Sequence, residues 1–425
     1  MSYQYRLLDD ELDELFPHLA AIAIEGAKGV GKTAMARQRV ATILDLADPN
    51  QRRSVADNYD LVTQVRPPVL IDEWQLEPSV WDRIRRAVDD DNTGGRFLLT
   101  GSAGVGPAVR IHSGAGRIVS LRLRPMSLVE RGIAQPTVSL RAMLAAEQPD
   151  IEGTTDVNVP DYAEEIVRSG FPGIRGLPTA ARSAQLEGYI ARIIERELPE
   201  NDVLVRRPAA LKRWMAAYAA ATATDAAYST ILDAATPGES EKPARQTVSS
   251  YREHLTRLYV LDSVEAWIPT FSPLTRLTRT PKHHLVDPAL AARLVGVGID
   301  GLLRGEGQRV TTVAATSTWL GALFESLVVQ SVRVYAQAAH ATIGHLRTHN
   351  TNHDIDIIVE SDDRRVVAIE VKVSGTVSDH DVRHLNWLHS QLGDRVVDRI
   401  CITTGPYAYR RRDGVAVVPF ALLGP

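Results

Sequence analysis

Residues 26–33 read GAKGVGKT and satisfy G-x-x-x-x-G-K-[ST] in full. An apolar run from Leu19 to Ile24 leads into them, and a helical stretch from Thr33 to Leu46 is expected to leave them. Gly26, Gly29 and Gly31 permit backbone angles that a Cβ resists. The loop Gly26-Ala27-Lys28-Gly29-Val30-Gly31-Lys32-Thr33 can therefore turn its amide hydrogens inward around phosphate oxygens, helped by the positive N-terminal end of the following helix. Lys32 supplies a point charge for the β- and γ-phosphates, and Thr33 a hydroxyl for Mg²⁺. The bland reading, a chance glycine turn before a helix, lacks the strand–loop–helix order found here.

Working outward, PPVLIDEWQ (67–75) is an apolar strand ending in two acids. Asp72 at the strand tip is placed to hold Mg²⁺, and Glu73 to orient and polarise the attacking water. Alone, two such acids are an ordinary solvated strand end. FLLTGSA (97–103) ends another strand in Thr100, Gly101 and Ser102, either small hydroxyls that could touch the γ-phosphate or the lytic water, or an ordinary strand-to-loop turn. Arg117, in GAGRIVSLRL, is the candidate to stabilise charge on the transferring phosphoryl group, in cis or from a neighbouring subunit. Strands at Val69–Ile71, Phe97–Leu99 and Ile118–Leu123, with a helix at Ser79–Val88, imply a parallel sheet flanked by helices.

The chain has 425 residues, roughly three domains' worth. A net charge of −4 excludes a grossly basic nucleic-acid coat protein but leaves local basic patches open. Its single cysteine, Cys401, cannot form an internal disulfide, which fits a reducing compartment. No apolar run is long enough for a membrane span. The acidic, amphipathic start MSYQYRLLDDELDEL is unlike a signal peptide. The expectation is a soluble cytoplasmic protein with no membrane partner.

The ordered set GAKGVGKT, IDEWQ, LTGSA, GRIVSLRLRPMSLVERG and GFPGI resembles bacterial and archaeal AAA+-related ATPases with an appended C-terminal domain of unknown function. The R-x-R-P-x-S-L-x-E run is the most specific part. The resemblance implies ATP as cofactor with Mg²⁺, ATP hydrolysis, and no named client. Lys28, Gly29, Ala34 and Trp74 depart from the family's usual pattern, while the core Gly-Lys-Thr is kept.

Farther along, helix Gln246–Leu258 and the strand-like Tyr259–Ile268 resemble a winged helix-turn-helix. Gln246, Ser249, Arg252, His254 and Arg257 would then face solvent or DNA. Such modules also pack against sibling domains. Basic groups at Arg206–Arg207, Lys212–Arg213, Arg276 to His284, and Arg410–Arg412 beside Tyr407 and Tyr409 are further places for DNA, or ordinary solvated faces.

In the last third, Glu325 lies on a helix (GALFESLV), Asp356 on the strand DIDIIVE, and Glu370 and Lys372 two apart in AIEVKV. Strand alternation puts Glu370 and Lys372 on one face. The set resembles the restriction-endonuclease-like core, D…(D/E)-x-K with a preceding helical Glu. That resemblance implies Asp356 and Glu370 as ligands of a Mg²⁺ that activates water for phosphodiester cleavage. The alternative is an inherited scaffold that cuts nothing. His345, His349 and His353 are taken as surface or supporting residues, and Asp287 in HHLVDPAL as a helix cap.

The expected architecture is α/β: a P-loop NTPase parallel sheet (1–145), a helical and winged-helix region (160–270) and a restriction-endonuclease-like α/β domain (271–425). Two functions follow. One is an ATPase that couples hydrolysis to nucleic-acid handling. The other is a nucleotide-dependent switch or scaffold that binds a protein and carries an inert nuclease-like domain.

Overall fold

The computed structural model describes residues 3–101, 114–147, 149–200, 205, 207–236, 245–267, 280–304, 319–348 and 353–425. The N-terminal sheet is parallel throughout. Its strands are β1 (Ala21–Glu25), β2 (Thr42–Asp45), β3 (Val69–Asp72), β4 (Phe97–Gly101) and β5 (Ile118–Arg122), in the order β2-β3-β4-β1-β5. Residues 21–24 of β1 are buried on both faces, as a central parallel strand requires. One strand, β4, separates the glycine loop at the end of β1 from the acids at the end of β3.

The expected helix from Thr33 to Leu46 is overturned beyond its first turns. Helix Lys32–Ala36 tightens into a 3-10 turn at Arg37–Arg39, and the chain then becomes β2. Thr42 and Ile43 are β-branched and favour a strand. The Pro68 carbonyl accepts the N–H groups of Ala41 and Thr42 at 2.9 and 3.2 Å, which starts the pairing with β3. Among the described residues, no helix is long and apolar enough to cross a membrane.

Two short strands follow, β6 (Val138–Ser139) and β7 (Gly153–Thr154). The middle region is helical. Pro172 opens helix Pro172–Arg175 and Pro178 caps helix Thr179–Arg192, so both prolines start helices. Helix Arg245–Arg257 matches the expected one, but among the described residues the text after it forms isolated bridges, Leu261 with Leu285, Val264 with Lys282 and Ala266 with His345. Nor does that helix turn all its polar residues to solvent. The Arg252 guanidinium lies 4.4 Å from the Tyr228 ring centroid, and His254 and Arg257 are half-buried.

The C-terminal sheet contains β8 (Ala341–Arg347), β9 (Asp354–Ser361), β10 (Val366–Val371), β11 (Val396–Thr403), β12 (Tyr407–Arg410) and β13 (Ala416–Pro419). Strands β8–β10 form an antiparallel meander, while β10, β11 and β13 run parallel. β7 is added at the β12 edge, and β14 (Leu423–Gly424) pairs with β6. One apolar core runs from Leu8 to Leu423 with the mostly buried helix Trp319–Ala338 inside it, so the last third is built into the rest of the chain.

Candidate functional site

The glycine loop leaves β1 with Gly26, Gly29 and Gly31 at φ 146°, 84° and 106°. Gly26 passes so close to the chain after β5 that a Cβ there would stand 2.1 Å from the Leu123 carbonyl oxygen, whereas one at Gly31 would meet nothing within 4 Å. Gly26→Ala is therefore expected to destabilise the protein by at least ~2 kcal/mol in urea unfolding, and Gly31→Ala by less. Equal costs would mean that the close approach is not fixed by the fold.

Lys32 is buried and curls over the loop, its Nζ donating to the carbonyls of Gly26 at 2.7 Å and Ala27 at 3.0 Å. Beneath it, one carboxylate oxygen gathers two hydroxyls. Asp72 Oδ1 accepts from Thr33 Oγ1 at 2.9 Å and from Thr100 Oγ1 at 2.5 Å. Register explains the meeting: Asp72 pairs with Thr100, and Thr100 with Ile24, at the ends of adjacent parallel strands. Thr33 and Asp72 thus offer hard oxygen donors side by side, a fit for a hard cation. Glu73 sits in the left-handed region at φ 53°, and Gln75 Nε2 donates to its carboxylate. That contact holds the carboxylate of the expected base. Ser102 lies outside the described residues.

Arg117 is placed elsewhere. It precedes the first residue of β5, at the end of the sheet opposite the loop, roughly 16 Å away at strand rise. Its Nε pairs with Asp89 at 2.7 Å. Within one chain it does not face the cradle.

The middle region supplies neighbours that the motifs do not name. Lys28 Nζ pairs with Glu197 at 2.6 Å, and the Lys28 carbonyl accepts from the Tyr189 hydroxyl at 3.1 Å. Glu197 closes a π-helical turn, Ile193–Glu197, a distortion frequent at functional sites. At the root of the loop, Glu25 accepts from the Tyr259 hydroxyl at 2.6 Å. Beside it, Asp262 is buried among Arg122, Arg124 and Arg333, each 3.1–3.2 Å away. Burial alone would raise this carboxyl; Arg333, Arg122 and Arg124 overcome that and hold it well below the usual carboxylate range.

The residues of the specific motifs meet in a second buried cluster. The Arg131 guanidinium donates to Glu165 Oε2 at 3.0 Å and to Gln330 Oε1 at 2.7 Å. Asp287 caps helix Pro288–Val295, as expected, and also accepts the Gly170 N–H at 2.6 Å.

In the last third, register sets Asp356 opposite Glu370, with Glu325 near them, but an unforeseen lysine lies between. Lys282 Nζ donates to Glu325 Oε1 at 2.7 Å and Asp356 Oδ1 at 2.8 Å, and Lys372 Nζ donates to Glu370 Oε1 at 2.7 Å. Burial, reinforced by the Asp356 charge and opposed by Lys282, pushes Glu325 up to about 8. His345 is buried rather than at the surface, His353 pairs with His384 at 3.1 Å, and His349 lies outside the described residues. Of the basic groups, Lys282, His283 and His284 are buried. Arg410 pairs with Asp398, and Arg411 with Asp413 and Asp379. Arg206 and Arg276 lie outside the described residues.

Residues 19–131 match the AAA domain family. Residues 159–300 match a domain of unknown function (DUF8612), and residues 320–423 another (DUF4143). The chain is 25% identical over 408 residues to the uncharacterized protein Rv2008c of Mycobacterium tuberculosis, and equally to the uncharacterized protein Mb2031c of Mycobacterium bovis. Each alignment spans 94% of this chain and 79% of the relative. The matches support an AAA-related ATPase with a C-terminal domain of unknown function. An AAA domain implies nucleotide binding with an accompanying metal ion.

Proposed function

We propose that the protein binds ATP with Mg²⁺ in the loop Gly26–Thr33 and hydrolyses it. The observation that carries this is the single Asp72 oxygen shared by Thr33 and Thr100, beneath a positive-φ glycine loop closed by Lys32. Lys32 exchanges its two loop carbonyls for phosphate oxygens. Thr33 and Asp72 would hold the Mg²⁺, which neutralises phosphate charge when bound. Glu73, held by Gln75, orients the water and takes its proton. Arg117 reaches a phosphoryl group only from a neighbouring subunit. The test is ATP turnover by wild type and Lys32→Ala, with and without DNA; equal turnover by the two proteins would sink the assignment.

Burial pushes the Lys32 amine down to about 8, against the opposing pull of Glu73 and Asp72. A bound triphosphate favours the ammonium, so above about pH 8 binding takes up a proton. Nucleotide affinity is expected to be level below that pH and to fall up to about tenfold per pH unit above it. Calorimetric titration across the range checks this, and a flat profile would remove Lys32 from the binding step.

For the use of hydrolysis, the proposal is a switch that alters how the AAA region and the rest of the chain engage a protein client. The pairing of Lys282, Arg410 and Arg411 with carboxylates favours this over nucleic-acid handling, because cations already matched to carboxylates are weak phosphate readers. Salt-dependent DNA binding, or metal-dependent plasmid nicking lost in Asp356→Ala and Glu370→Ala, would restore the nucleic-acid reading.

A further inference from the structure

The carboxylates of the last third do not fit a divalent metal, because an ammonium group already lies among them. Lys282 belongs to the segment before helix Pro288–Val295, whereas Glu325 lies on helix Trp319–Ala338 and Asp356 on β9. Three separate elements thus converge on one Nζ, with both carboxylates within 2.8 Å. The lysine backbone is clamped as well. Its N–H donates to the Val264 carbonyl at 2.8 Å, and its own carbonyl accepts from Val264 at 2.9 Å. Two further ligand atoms are engaged, while Glu370 Oε2 is buried without a hydrogen-bond partner among the described residues. Asp356 Oδ2 accepts the Val371 N–H at 2.9 Å, and Lys372 holds Glu370 Oε1. Mg²⁺ demands near-ideal octahedral oxygens at about 2.0–2.1 Å, and any position touching both Glu325 and Asp356 would abut the ammonium. Like charges in a buried site repel strongly.

We infer that Lys282 is the resident cation of this cluster: it stands where a divalent metal would bind, and the C-terminal region is an ion-paired, metal-free body. Its Glu325 and Asp356 carboxylates are offset from within the chain, by a residue outside the stretch that carries the D…(D/E)-x-K pattern. The lysine therefore decides between a metal centre and a sealed core.

The inference is tested with Mn²⁺ on the full-length, nucleotide-free protein, by electron paramagnetic resonance and thermal melting. Wild type is expected to show no Mn²⁺ uptake that depends on Asp356 or Glu370, and no Mn²⁺-induced rise in melting temperature beyond that of Asp356→Asn. Lys282→Ala should melt lower in EDTA, take up one more Mn²⁺ per chain than wild type, and regain part of the loss with Mn²⁺. Lys282→Met combined with Asp356→Asn removes both partners; it should melt closer to wild type without metal and take up no more Mn²⁺ than wild type. A wild-type Mn²⁺ site abolished by Asp356→Asn would overturn the inference, even if Lys282→Ala failed to fold. A folded Lys282→Ala that took up no more Mn²⁺ than wild type would overturn it too. Neither result depends on whether the Lys32 site hydrolyses ATP.

Discussion

Glu73→Gln is expected to bind ATP as wild type does and to turn it over about 10²–10⁴-fold more slowly. The amide keeps the size of the side chain, and one of its atoms can still meet Gln75, but it cannot take a proton from water. Lys32→Ala acts at a different step. It removes the buried ammonium that sits over the loop carbonyls, so it should lose nucleotide affinity along with turnover. Fluorescent-nucleotide titration beside steady-state phosphate release separates the two. If Glu73→Gln lost affinity and kept its rate, the roles given to Glu73 and Lys32 would have to be exchanged or abandoned.

Asp262→Ala is expected to destabilise the protein by ~3–5 kcal/mol, the range for breaking a buried ion pair from one side. Three guanidiniums depend on that carboxylate, and the Arg124 and Arg333 side chains are each only 11% exposed. The cost arises mainly from leaving positive charge buried without its counter-charge. Arg333→Met in the same background should return part of the loss, since one stranded cation is gone. Urea unfolding of the four proteins of this cycle measures the coupling; additive losses would mean that Asp262 and Arg333 act independently. Arg122 ends β5 beside Glu25, the residue before the loop, so the double variant should also change the nucleotide dependence of unfolding.

The cradle was legible because its chemistry is local: glycines, a lysine and a threonine are consecutive, and periodicity alone placed β1, β3 and β4. β2 was not, because Val40, Ile43, Leu44 and Leu46 suit one face of a helix as well as a short strand. What tips the balance is the Pro68 carbonyl on a neighbouring strand, which is a tertiary fact. Whether Arg117 faces the loop of its own chain was not legible for a similar reason. Its distance from the glycine loop along the chain gives no sign of which end of β5 it occupies. The approach of Thr100 to Asp72 needed strand order, which sequence does not state. Lys282 and Asp262 were missed because nothing nearby in sequence marks them; Glu325 and Asp356 lie 43 and 74 residues from Lys282, and Arg333 and Arg124 lie 71 and 138 residues from Asp262, so only the folded topology brings them together. By contrast, the Asp287 cap and the helical Glu325 were readable from short-range rules, as was the Asp356–Glu370 face.

Two ladders join the beginning of the molecule to its end: Leu423 and Gly424 lie along Val138 and Ser139, and Tyr407 and Ala408 along Thr154 and Gly153. A gene split between Thr236 and Arg245 would give two polypeptides, each holding one side of both ladders and one side of the Asp262 contact. Co-produced, they should reassemble and elute as one species. Produced singly, each would offer bare strand edges to its own copies and should aggregate. The fold is therefore suited to split-protein complementation, and poorly suited to study by truncation.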